Sequence, residues 1–331
     1  MNGPLEGVKV ADLSRFVAGP YCGLLLADMG AEVVKVEKST GEDTRHIPPF
    51  FDDQEGDSHY AAALNRNKRA ITLNYRKEGA KEVLRKLFKW ADVIIENFRP
   101  GTLERMGFAP NVIHEINPKV ILARCSGFGQ TGPYKQRPGF DAIAQAMGGI
   151  MSITGREEDP PLLAGTYIVD YVTGMHAAVG ILSALYERDR TGKGQVVDVS
   201  LYESAVSILV SMIPTYQQTK SIPERVGNGD RYAAPANAFE TKNGWVYISA
   251  PNQGLWKRLC ELMNREDLLR MDYLSSESGR LKHKKEINSI VQEWAIKYEQ
   301  DELVELLVEK GIPCAPIQNV SDILQDKHLR E

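Results

Sequence analysis

Asp170 is the side chain in this sequence placed most like a reagent. It stands where a strand-like run, Ala164 to Val169, gives way to a helical pattern, Tyr171 to Asp189. A carboxylate at such a junction can cap the helix by accepting amide hydrogen bonds. Held against an activated carbonyl carbon in a dry pocket, it can instead act as a nucleophile. The local sequence leaves both roles open. His176 invites pairing with Asp170, but six positions at ~100° per residue put it about 240° around the helix, so a packing role is expected. His46, His59, His114, His283 and His328 show no ligand spacing, and Cys22, Cys125, Cys260 and Cys314 form no C-x-x-C pair. No metal site and no disulfide framework is expected.

A second set of residues is cationic: Lys38, Arg45, Lys68, Arg69, Arg76, Arg99, Arg105 and Arg137. Each alone reads as a solvated surface charge. Together, several fall at the ends of expected parallel strands, where open α/β sheets bind ligands. Cations gathered there suit a small phosphorylated molecule.

The elements that must position these groups alternate along the first two-thirds of the chain. Strands are expected at Val8–Leu13, Ala31–Val36, Ala70–Leu73, Asp92–Glu96, Lys119–Ala123 and Gln195–Leu201, with helices at Pro20–Met29 and Glu78–Trp90 and an apolar helix at Glu203–Tyr216. Short β-branched runs separated by amphipathic segments indicate βαβ units and a mainly parallel sheet. A polar, Gly/Pro-punctuated stretch then sets a boundary, giving a large domain at 1–220, a linker at 221–236 and a smaller α+β domain at 237–331. In the last, Asn237–Glu240 and Trp245–Ile248 alternate across Asn243-Gly244, a strong hairpin signal. Helices at Leu255–Met263, Lys284–Tyr298 and Glu302–Lys310 follow.

The opening strand–turn–helix–strand ends in Glu37 and mimics a dinucleotide-binding unit. Its turn, Ala18-Gly19-Pro20-Tyr21-Cys22-Gly23, lacks the first glycine pair and puts proline where an amide should meet a pyrophosphate. Nicotinamide binding is not expected. With 331 residues, 43% hydrophobic and 25% charged, the chain can bury real cores, and its net charge of −4 provides no field for nucleic acid or a membrane surface. The N-terminus has neither the basic head nor the apolar stretch of a signal peptide, and a cytoplasmic location is expected.

In order and spacing, Ala18-Gly19-Pro20, Glu37-Lys38, Asn67-Lys68-Arg69, Glu96 to Gly101, Arg105 to Phe108, Asp170, Gly174-Met175-His176 and Thr191 to Gln195 resemble the family III CoA-transferases of the CaiB/BaiF type, which include formyl-CoA and carnitine CoA-transferases. The resemblance implies a large Rossmann-like domain, a smaller domain and an interlocked homodimer. It implies that CoA moves from an acyl-CoA donor to a small carboxylic acid, with Asp170 as covalent carrier and CoA as substrate, not a tightly bound cofactor. CoA-contacting positions of the family match Val17, Ala18, Lys38, Leu73, Arg76, Asn97, Phe98, Arg99 and Arg105, with Arg137 a looser match. The sister branch, the α-methylacyl-CoA racemases, uses a histidine where this chain reads Gly139-Phe140-Asp141. Phenylalanine cannot move a proton, so transfer is favoured over isomerisation. A racemase-like isomerase and an inactive CoA-binding relative are the alternatives. Related chains continue past the position of Glu331 with a segment returning to the large domain, and a weakened assembly is expected without it. The gating loop expected near Gly227-Asn228-Gly229 lacks the longer glycine run of formyl-CoA transferases, so oxalate and formate are not favoured.

Overall fold

The computed structural model describes residues 3–51 and 58–331; Met1 and Asn2, the head of the N-terminal segment read above, lie outside the described residues. The chain divides into two compact units. The first comprises residues 1–153 and 161–223, and the second comprises 154–160 and 224–331.

Six strands build the sheet of the first unit: β1 (Lys9–Asp12), β2 (Glu32–Glu37), β3 (Lys68–Thr72), β4 (Val93–Glu96), β5 (Ile121–Ser126) and β6 (Val196–Ser200). All adjacent pairs are parallel, in the order β3-β2-β1-β4-β5-β6. Crossover helices cover both faces, which explains why β4 and β5 are buried throughout instead of alternating. The helices are α1 (Ala18–Asp28), α2 (His59–Asn65), α3 (Glu78–Trp90), α4 (Thr102–Arg105), α5 (Pro110–Ile116), α6 (Asp141–Met147), α7 (Ile150–Ile153), α8 (Ile168–Thr191), α9 (Leu201–Ser207) and α10 (Met212–Thr219).

One core lies between the sheet and α1 and α8, where Val10, Val93, Ile95, Ile121 and Ala123 meet Leu26, Ala177 and Ile181. The other face packs Ala11, Ile94 and Leu122 against Leu84 and Phe88 of α3 and Ile113 of α5. By length and composition α8 could cross a bilayer, yet its Ala177, Ile181 and Ala184 belong to the first of these cores. Gly174 makes its close approach to α1 possible, since a Cβ there would stand 2.7 Å from the Ala18 carbonyl oxygen.

Two sequence expectations are corrected here. Ala164 to Val169 is not a strand: it pairs with no neighbour, and α8 already begins at Ile168. The apolar helix expected over Glu203–Tyr216 is broken into α9 and α10 by turns at 208–211.

In the second unit, β7 (Ala236–Glu240) and β8 (Trp245–Ser249) form the antiparallel hairpin, and β9 (Cys314–Pro316) adds to β8. α11 (Gln253–Leu262), α12 (Glu277–Lys282), α13 (Lys284–Ala295) and α14 (Gln300–Glu309) accompany this sheet. Trp256, Leu259, Ile287, Val291, Leu303 and Leu307 pack on Val246 and Ile248. Arg280, fully buried, ties the segments together by donating to the carbonyls of Ala234, Leu274 and Pro251 and to Gln253 Oε1.

Candidate active site

The strand order reverses between β1 and β4, so the loops leaving their C-terminal ends diverge and open a crevice. Asn97, just past β4, holds its β1 side. Its Oδ1 accepts from the Arg15 amide at 2.8 Å, and its Nδ2 donates to the Arg15 carbonyl at 2.6 Å. Phe16 then turns through φ 61°, a left-handed conformation costly for an aromatic residue and found most at functional sites. The crevice is a cleft of about 900 Å³, within the range that takes a cofactor-sized ligand.

Val17, Ala18, Lys38, Leu73 and Arg76 all line this cleft, as do Asn97, Phe98, Arg99, Arg137 and Asp170. Arg105 does not. It is exposed, and its guanidinium donates to Thr102 Oγ1 at 2.9 Å. Arg45 is committed to Glu37 at 2.7 Å, and Arg69 pairs with Glu32 at 3.0 Å. Lys68 is buried under the sheet edge, donating to Asp12 at 3.0 Å and to the Pro20 carbonyl at 2.7 Å. Lys35 joins it, 2.9 Å from Glu42 and 2.6 Å from the Ser14 carbonyl oxygen. Burial opposes the charge of Asp12, but Lys35 and Lys68 more than offset this and hold its carboxyl below the usual range.

The cleft therefore keeps Arg15, Lys38, Arg76, Arg99 and Arg137. Asp43 pairs with Lys38 at 2.5 Å and approaches Arg15 at 3.4 Å. Arg137 stacks 3.9 Å over the Tyr134 ring. A cationic rim of this kind suits a ligand with several phosphates.

Asp170 is the third residue of α8, not its cap, and the Tyr167 side chain at the N-cap makes no capping bond. The cap comes from 29 residues upstream. Asp141, buried at the start of α6, accepts from the amides of Val169 at 2.8 Å and Asp170 at 3.1 Å. Gln145 donates to the other Asp141 oxygen and accepts from the Ala164 amide. The carboxylate of Asp170 makes no hydrogen bond or ion pair among the described residues. Burial, and then the negative charge of Asp141, push its pKa up to about 7. A carboxylate with so little hydration to shed can attack an electrophilic carbon when ionised.

Among the described residues, Cys125, Phe140 and His176 are not competing reagents. Burial raises the Cys125 thiol far above its ordinary pKa, so it is not a thiolate. Phe140 lines the cleft, packed edge-on to Phe16 at 5.8 Å between ring centres. His176 is outside the lining, with Nδ1 3.2 Å from Ser204 Oγ. The sequence reading missed Arg15, Phe16 and Ser126 as cleft residues. Placing β1 at the switch point would have found the first two. Nothing local marks Ser126.

The family model of CoA-transferase family III matches residues 5–331. The chain is 39% identical over 328 residues to succinyl-CoA–D-citramalate CoA-transferase of Chloroflexus aurantiacus, covering 98% of this chain and 81% of that one. It is 39% identical over 335 residues to succinyl-CoA:mesaconate CoA-transferase of Haloarcula marismortui, covering 99% and 84%. A crystal structure of a CaiB/BaiF family protein from Brucella suis superposes with a TM-score of 0.92 at 36% identity, over 100% of this chain and 88% of that one. By fold, sequence and length of match, the chain belongs to the family III CoA-transferases.

Proposed function

We propose that this enzyme moves CoA from succinyl-CoA to a second dicarboxylic acid by covalent catalysis at Asp170. The observation that carries the reading is the Asp170 carboxylate, poorly hydrated and without a hydrogen-bond partner among the described residues, in the same cleft as five cations. An Asp170 oxygen attacks the thioester carbonyl, forming a C–O bond and expelling the CoA thiolate with the C–S electron pair. The thiolate attacks the Asp170 carbonyl of the mixed anhydride, releasing succinate and leaving an aspartyl-CoA thioester. The acceptor carboxylate repeats the two steps in reverse order, restoring Asp170. No proton or electron is gained or lost over the cycle.

Lys38, Arg76 and Arg99 are assigned to the CoA phosphates and Phe98 and Leu73 to the apolar parts of CoA. Succinyl-CoA and a C4 or C5 dicarboxylic acceptor are inferred from the names of the relatives. The test is to supply succinyl-CoA with a panel of mono- and dicarboxylic acids and follow new CoA thioesters by mass spectrometry. Dicarboxylic acceptors should dominate; a preference for monocarboxylic acids would overturn the substrate assignment.

A cytoplasmic homodimer is part of the same proposal. Four free thiols accord with a reducing compartment, and Val179 and Tyr186 on α8 are 62% and 70% exposed, a patch that association would cover. Sedimentation at micromolar concentration tests this, and a monomer would refute it.

A further inference from the structure

We propose that the Ser126 hydroxyl is a binding contact for the arm of the CoA thioester that links its sulfur to its phosphates. The inference rests on the CoA-transfer reading above. Ser126 ends β5, is 8% exposed and lines the cleft, yet its Oγ has no hydrogen-bond partner among the described residues. Comparable buried hydroxyls are satisfied. Ser14 bonds to Asp12, Ser58 to the Ile47 carbonyl, Thr173 to the Val169 carbonyl and Ser200 to Glu203. An unpaired buried hydroxyl costs stability, and a ligand group that paired with it would recover that cost.

Position on the strand says what would pair with it. Side chains alternate along β5, so Ser126 shares a face with Leu122 and Arg124, while Ile121, Ala123 and Cys125 face the core that contains α8. Arg124 donates at 2.9 Å to Glu104 of α4, so this is the face that α4 covers, and Thr102 and Met106 line the cleft there with Phe98. The hydroxyl thus stands on the wall away from Asp170. It lines the same cleft as Arg76, Arg99 and Asp170, the groups assigned above to the two ends of the CoA thioester. The stretch of CoA between those ends is uncharged and carries amide N–H and C=O groups and a hydroxyl, and a serine can donate to or accept from any of them. A phosphate or carboxylate would instead call for a cation.

The arm keeps its chemistry through every step, so a contact to it binds ground and transition states alike. Ser126→Ala should therefore weaken CoA binding in calorimetry roughly tenfold. Binding of 3′-phospho-ADP, which has the phosphates but no arm, should be unchanged. The melting temperature without ligand should hold or rise, because the variant removes an unpaired buried group; a serine with a structural role would lower it. Equal losses for CoA and 3′-phospho-ADP, unchanged CoA affinity, or a fall in kcat with CoA affinity intact would each overturn the proposal. Failure of the wild-type protein to bind either probe would instead sink the CoA-transfer reading beneath it.

Discussion

Replacing Asp170 with asparagine should stabilise the protein at alkaline pH while abolishing transfer. A carboxyl with a folded pKa raised from 3.8 to about 7 holds a proton that the unfolded chain has already released. Between about pH 4 and 7 the folded state therefore binds more protons, and stability falls as pH rises through that window. At ~1.36 kcal/mol per unit the full shift corresponds to about 4 kcal/mol, and solvent screening at this half-buried site roughly halves it. Asp170→Asn should gain about 2 kcal/mol over the wild type at pH 8.5 and nothing at pH 4. Urea melts of both proteins at the two pH values read this directly. The helix cap does not intervene, because Asp141 supplies it. An asparagine variant less stable at pH 8.5, or a gap independent of pH, would refute the argument that burial and Asp141 load Asp170 with strain.

Other outcomes follow from the same geometry. Asp141→Asn removes the charge that helps raise Asp170, so the acid limb of the kcat/KM profile should move below pH 7; an unmoved limb would mean that Asp141 does not act through charge. Asn97→Ala loses both bonds to the Arg15 backbone and should cost about 1–2 kcal/mol of stability by urea melt, with weaker CoA binding. Arg76→Ala should lower CoA affinity roughly tenfold by calorimetry, whereas Arg105→Ala, outside the cleft, should change it little. Arg280→Ala strands three carbonyls in the second unit and should destabilise by about 3 kcal/mol in a urea melt.

Much of the fold was legible because β1 to β6 are short β-branched runs whose hydrophobic period differs sharply from that of α1 and α3. The cleft was legible where cations follow strands, as at Lys38, Arg76 and Arg99. Three things were not. The start of α8 depends on the Asp141 carboxylate, 28 and 29 residues from the amides it receives, and no local pattern carries such a cap. Lys68 and Arg45 resemble ligand-binding cations in sequence but are consumed by Asp12 and Glu37, partners that only the sheet order brings near. Arg105 lies on a single-turn helix whose rotation decides whether it meets the cleft, and so short an element has no periodicity to read.

The central claim is that Asp170 carries CoA covalently, and peptide mass mapping tests it most directly. Enzyme incubated with succinyl-CoA and no acceptor, then quenched and digested, should show the mass of CoA added to the peptide that contains Asp170. Hydroxylamine should convert that adduct to a hydroxamate, and Asp170→Asn should show neither species. An unmodified Asp170 peptide from enzyme that turns over in parallel, or full turnover by the asparagine variant, would contradict the account.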